Sequence, residues 1–146
     1  MKIAIGSDHA GFELKEKIRD FLALLGQAVH DVGCHSTESV HYPEIGRQVA
    51  ELVASGQCDR GILICGTGLG MSIVANRVSG IRAALCNEPY VARMSREHND
   101  ANVLCMGGRV VGQALAEEMV RVWLDAPFAG GRHALRTGMI DLPPRD

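Results

Sequence analysis

The chain has 146 residues, 47% of them hydrophobic and 22% charged, enough for one well-buried domain and too few for two ordinary ones. Its formal charge of -2 and the lack of any run of five basic residues argue against a nucleic-acid binder that works by neutralising many phosphates. No segment has the ~18 uninterrupted apolar residues of a spanning helix, Met1-Lys2-Ile3-Ala4-Ile5-Gly6 lacks a signal-peptide pattern, and the five cysteines form no C-x-x-C pair, so a cytoplasmic chain with reduced thiols and no membrane partner is expected.

Residues 2–6 read as a first strand, and Phe12, Leu14, Ile18, Phe21, Leu22 and Leu25 then recur at helical spacing until Gly26. Gln27 to Val32 form a weaker second strand. A loop containing His35, Thr37, His41, Tyr42 and Pro43 leads into a helix with Ile45, Val49, Leu52 and Val53 on one face, closed by Ser55-Gly56. Gly61 to Cys65 is apolar at successive positions, as in a strand covered on both faces of a parallel sheet. A short helix to about Val78, a strand at Ile81 to Cys86, a helix opening near Pro89 and a strand at Asn102 to Met106 follow. Next comes a helix from about Gly112 to Asp125, with Leu115, Met119, Val122 and Trp123 as its core stripe. The tail from Gly130 enters a short final helix that Leu142-Pro143-Pro144 ends. This alternation predicts an α/β fold, a Rossmann-like three-layer αβα sandwich with a five-stranded parallel sheet, as one domain over residues 1–146.

In such sheets ligands bind beyond the carboxyl ends of the strands, so the loops there carry the candidates. Cys65-Gly66-Thr67-Gly68-Leu69-Gly70 sets a thiol beside a glycine-rich turn whose N–H groups could face a phosphate or a developing oxyanion. An ordinary tight turn around an inert buried cysteine is the alternative. Met71 stands where a dinucleotide fingerprint needs its third glycine, which argues against a nicotinamide cofactor, and Cys65 stands where a phosphoreceiver domain would carry an aspartate. Gly6-Ser7-Asp8-His9-Ala10-Gly11 places a carboxylate beside an imidazole, but Phe12-Glu13 replaces the Lys-Ser/Thr of a P-loop; an Asx-type turn would also account for Asp8.

His98-Asn99-Asp100 is a dense polar cluster, and Gly107-Gly108-Arg109 again puts a cation behind glycines. Arg132 and Arg136, four apart, share one helical face and could fork a phosphate, although surface arginines often have no ligand. His35 and His41 lack any metal-binding spacing, so no metal is expected.

Four stretches, Gly-Ser-Asp-His-Ala-Gly at 6–11, Ile-Cys-Gly-Thr-Gly-Leu-Gly-Met at 64–71, Arg-Glu-His-Asn-Asp-Ala-Asn-Val-Leu at 96–104 and Gly-Gly-Arg-His at 130–133, together resemble the B-type ribose-5-phosphate isomerases and their galactose-6-phosphate isomerase relatives. The resemblance spans essentially the whole chain. It implies a cofactor-free aldose–ketose isomerase that interconverts ribose 5-phosphate and ribulose 5-phosphate through a cis-enediolate. In that reading His98 with Asp8 assists ring opening, Cys65 as thiolate moves the proton from C2 to C1, and Thr67 moves a proton between the two oxygens. The backbone of Gly66, Gly68, Leu69 and Gly70 meets the enediolate charge. Arg132, Arg136, His9 and Arg109 form the phosphate set, and Asn99 and Tyr42 line the sugar.

The resemblance further implies a homodimer or tetramer in which His98, Asn99 and Arg109 face Cys65 from the partner chain. The chain departs from the family at His41, where an aspartate often precedes Tyr-Pro. Allose 6-phosphate, galactose 6-phosphate or a tetrulose 4-phosphate are alternative substrates, and a non-catalytic sugar-phosphate sensor is the alternative from another class.

Overall fold

Strands alternate with helices throughout the computed structural model, which describes residues 1–141. In chain order the elements are β1 (Lys2–Ser7), α1 (Phe12–Leu24), β2 (Ala28–Asp31), α2 (Tyr42–Ala54), β3 (Arg60–Cys65), α3 (Leu69–Ala75), β4 (Ala83–Leu85), α4 (Pro89–Glu97), β5 (Val103–Gly107), α5 (Gln113–Asp125) and α6 (Arg132–Ile140). The five strands form one sheet in the order β2-β1-β3-β5-β4, and every pairing is parallel. The expected end of the last helix at Leu142-Pro143-Pro144 lies outside the described residues.

Alternate strand residues point to opposite faces, and both faces are covered. Ile3, Ile5, Ile62, Ile64, Leu104 and Met106 share one core with Leu14, Ile18 and Leu22 of α1 and Met119, Val120 and Trp123 of α5. Ala4, Leu63, Cys65, Val103 and Cys105 share the other with Ile45, Val49 and Val53 of α2 and Met71 and Ala75 of α3. Each fully buried isoleucine contributes about 1.5–3 kcal/mol relative to an exposed one. The helices thus form layers on either side of the sheet, as the unbroken apolar run at β3 predicts.

Several boundaries move for physical reasons. Strand β4 is only Ala83–Leu85, because side-chain amides replace the ladder at its start. The Ala83 N–H donates to Asn76 Oδ1 (2.8 Å) and the Arg82 N–H to Asn102 Oδ1 (2.9 Å). Helix α3 begins at Leu69 rather than near Met71, since Gly68 at φ +81° turns the chain directly into it. On α5, Met119 and Trp123 are buried with Ala116, Val120 and Leu124, whereas Leu115 and Val122 are only half-buried.

The order β2-β1-β3 positions the candidate site. The chain leaves β1 toward one edge of the sheet and returns to pair β3 on its other side, so the loops after β1 and β3 diverge and open a crevice at their carboxyl ends. Among the described residues no helix is long and apolar enough to cross a membrane.

Candidate active site

At the β1/β3 crevice the two loops are fastened to each other. The Asp8 N–H donates to the Ile64 carbonyl (3.2 Å), and Asp8 Oδ1 accepts from the N–H groups of Ala10 (3.0 Å) and Gly11 (3.1 Å). The Asx turn is therefore present, and it orients the carboxylate at the mouth of the sheet. His9 Nδ1 accepts the Val40 N–H (3.3 Å), so the neutral ring carries its proton on Nε2.

Cys65 is the last residue of β3 and is 5% exposed. Its Sγ accepts the Gly68 N–H at 3.1 Å. A Cβ at Gly68 would stand 2.5 Å from Leu85 Cδ1 and 2.9 Å from the Met106 carbonyl carbon, so both the positive φ and the packing call for glycine. At Gly70 a Cβ would meet the Tyr42 ring at 2.7 Å; the missing side chain lets Tyr42, the first residue of α2, lie against the loop. Thr67 is exposed, and its Oγ1 accepts the Leu69 N–H (3.3 Å).

Arg109 belongs to the same loop cluster. The Arg109 N–H donates to the Gly66 carbonyl (3.1 Å) and the Gly108 N–H to the Cys65 carbonyl (2.7 Å). A Cβ on Gly66 would sit 3.6 Å from Arg109 Nη1. The expectation that Arg109 reaches Cys65 from a partner chain is thereby corrected, because β5 pairs with β3 and delivers Arg109 within its own chain. A cavity of about 380 Å³ lies alongside, lined in part by His9, Lys17, Thr37, Arg109 and Gln113.

The remaining candidates occupy the other end of the sheet. His98 ends α4 and donates its N–H to the Met94 carbonyl (2.9 Å); Asn99 follows, just before β5. Cys65 pairs with Gly107 at the far end of β5, so ~16 Å of strand separates the two groups at ~3.3 Å per residue. Asp8 and His98 therefore form no pair within one chain. Exposed Arg132 and Arg136 lie on α6, which the Ala129 N–H to Glu97 carbonyl bond (3.0 Å) ties to the end of α4. The His98 and His133 rings stack at 4.2 Å with an interplanar angle of 5°. Desolvation, then the neighbouring His98, Arg132 and Arg136, hold His133 below the usual histidine pKa.

Away from this loop, burial pushes the Cys86 thiol up to about 11 and raises Cys58 and Cys105 for the same reason. Among the described residues no group of three or more His, Cys, Asp or Glu side chains is gathered as metal ligands would be. Two residues escaped the sequence reading. Fully buried Lys15 pairs with Asp31 Oδ2 (2.6 Å), whose Oδ1 accepts the Gly33 N–H (2.8 Å) and so steadies the turn bonded to Ser7; its position among Leu14 and Ile18 was the available signal. Arg82 binds the turn after His98, and nothing in its local sequence marks it.

A family model described as Ribose/Galactose Isomerase matches residues 3–140. The chain is 53% identical over 139 residues to ribose-5-phosphate isomerase B of Escherichia coli, covering 95% of this chain and 93% of that protein. It is 46% identical over 135 residues to D-erythrulose-4-phosphate isomerase of Pectobacterium atrosepticum, covering 92% and 89%. The solved structure of Clostridium thermocellum ribose-5-phosphate isomerase B superposes with a TM-score of 0.96 at 62% identity, covering 97% of this chain and 95% of that one. With the sheet order, the glycine loop after β3 and the polar turn before β5 all in place, the chain belongs to the ribose/galactose isomerase family and is a sugar-phosphate isomerase.

Proposed function

We propose that this protein interconverts ribose 5-phosphate and ribulose 5-phosphate without a cofactor, with Cys65 as the base. The observation that carries this reading is the Cys65 sulfur at the carboxyl end of a central strand, accepting the Gly68 N–H at 3.1 Å. An N–H aimed at sulfur is a ready partner for a thiolate, and the loop around it excludes side chains from the space where a sugar would sit.

After ring opening, assisted by His98 and Asp8, the thiolate takes the proton from C2 of the aldose, and the C2–H electron pair forms the C1–C2 double bond of a cis-enediolate. A proton passes from the C2 oxygen to the C1 oxygen by way of Thr67. The Cys65 thiol then returns its proton to C1, leaving the ketone at C2. N–H groups of the loop from Gly66 to Gly70, Leu69 among them, stabilise the enediolate charge, each such donor contributing ~3 kcal/mol. Arg132, Arg136, His9 and Arg109 hold the phosphate, while Tyr42 and Asn99 face the sugar.

A second copy of the chain completes this site. His98, Asn99, Arg132 and Arg136 stand at one end of the sheet and Cys65 at the other, and a two-fold pairing brings opposite ends together twice. Leu69 (54%) and Ile73 (62%) of α3 and Leu135 (71%) and Met139 (65%) of α6 are exposed in the single chain, as apolar residues awaiting a partner would be. The five free cysteines agree with a reducing, cytoplasmic setting.

The alternative substrate class is another sugar phosphate, favoured by the 46% identity to a relative named for erythrulose 4-phosphate. Side-by-side turnover of ribose 5-phosphate, allose 6-phosphate, galactose 6-phosphate and erythrulose 4-phosphate decides between them. Cys65→Ala is expected to abolish exchange of the substrate C2 proton with solvent while leaving sugar-phosphate binding nearly intact. Unchanged exchange in that variant overturns the base assignment.

A further inference from the structure

Two chain segments distant in sequence converge on one guanidinium. Arg82, just before β4, donates from Nε to the Asn99 carbonyl (2.8 Å), from Nη2 to Asp100 Oδ2 (3.2 Å) and from Nη1 to Asp141 Oδ2 (2.6 Å) at the end of α6. The segment that carries Arg82 is itself pinned to the start of β5, since its N–H donates to Asn102 Oδ1 (2.9 Å) and its carbonyl accepts the Asn102 N–H (3.0 Å). From the opposite side Arg96, itself buried, holds Asp100 Oδ1 (2.8 Å) and the Ala101 carbonyl (2.7 Å). Asp100 sits at φ +47°, the one non-glycine residue with positive φ among those described. Backbone of this kind persists where its surroundings determine it, and here two arginines grip its side chain.

We infer that Arg82, acting through Asp100, is a positioning residue for the isomerisation. The inference rests on the reading that His98, Asn99 and the α6 arginines belong to the active site. His98 and Asn99 are the two residues before Asp100, and α6 carries Arg132 and Arg136 toward Asp141. Arg82 therefore sets the spacing between the groups that open the ring and the groups that hold the phosphate. A sugar phosphate fixes that spacing covalently, so a shift of the turn against α6 degrades the reacting geometry even when each group remains present. The planar fork of arginine can address three acceptors in fixed directions, which an ammonium cannot.

The test compares Arg82→Lys, Asp100→Asn and Asp100→Gly with the unaltered protein, together with His98→Asn. For each, kcat, KM, melting temperature and mass in solution are measured. Arg82→Lys and Asp100→Asn should lower kcat by roughly 10- to 100-fold and raise KM, with melting temperature held within about 4 °C and mass unchanged. Asp100→Gly relieves the backbone but removes the clamp, and it should be as impaired as Asp100→Asn. Recovery of activity by Asp100→Gly overturns the inference in favour of backbone conformation alone.

Wild-type kcat and KM in Arg82→Lys, or losses that follow a fall in mass or in melting temperature, also overturn it. His98→Asn separates the two levels. If it is inactive while Arg82→Lys is normal, only the positioning role fails. If it is fully active, the placement of this turn in the active site fails as well.

Discussion

Gly68 shows how one residue can be fixed by two independent demands. Its φ of +81° costs an L residue about 1–2 kcal/mol, and a Cβ 2.5 Å from Leu85 Cδ1 adds an overpacking cost of about 1–3 kcal/mol. Gly68→Ala should therefore lower stability by the sum of these, read as a shifted urea midpoint, and displace the N–H that faces Cys65. Gly66→Ala is the contrast: its nearest contact would be 3.6 Å, and its stability should change by less than about 1 kcal/mol. Equal stability loss in the two variants would show that the loop is held by something other than packing at Gly68. The sequence displayed all of these glycines alike; which of them lacks room became visible only once Leu85 and Met106 were brought beside the loop.

At the scale of elements, α6 meets the end of α4 through the stacked rings of His133 and His98. His133 lies below the usual histidine pKa because its protonated form is disfavoured by desolvation and by His98, Arg132 and Arg136. As pH falls through the ordinary value of ~6.5, the unfolded chain takes up this proton before the folded one does. The stabilising contribution of the neutral ring is thus present at higher pH and lost on acidification. His133→Gln should remove part of the decline in urea midpoint between neutral and mildly acidic pH; an identical decline in both proteins would refute the assignment. The boundaries of α1, α2 and α4 were readable from apolar spacing, Gly26 and the prolines. The shortness of β4 was not, because the amides that displace its ladder come from Asn76 and Asn102, seven and twenty residues from their partners.

At the scale of the molecule, the separation of the two groups of site residues makes a prediction about mixing. Cys65→Ala and His98→Asn chains, each inactive alone, should regain activity when unfolded and refolded together. Random pairing puts half of the molecules in mixed dimers with one intact site, so about a quarter of the wild-type activity should return. No recovery, with mixed dimers shown to form, would place the whole site within one chain. Arg109 marks the limit of sequence reasoning here. It stands 43 residues beyond Gly66 in the chain, yet its N–H bonds the Gly66 carbonyl, so it lies beside Cys65 and not beside His98.

The sequence by itself determined the order of strands and helices, the parallel sheet and the chemical identity of the loops, because hydrophobic period, glycine and proline act locally. It also carried the family, since four motifs survive as contiguous stretches. Only the tertiary structure decided which loops meet. The order β2-β1-β3-β5-β4 sets Asp8, Cys65 and Arg109 at one end, and the return of α4 against the strand direction carries His98 to the other. The strand order, and with it which loops become neighbours, does not follow from spacing along the chain, because it is set by packing between segments distant in sequence. The same holds for Arg82, whose proposed role arises from acceptors on Asn99, Asp100 and Asp141 that only the folded chain assembles.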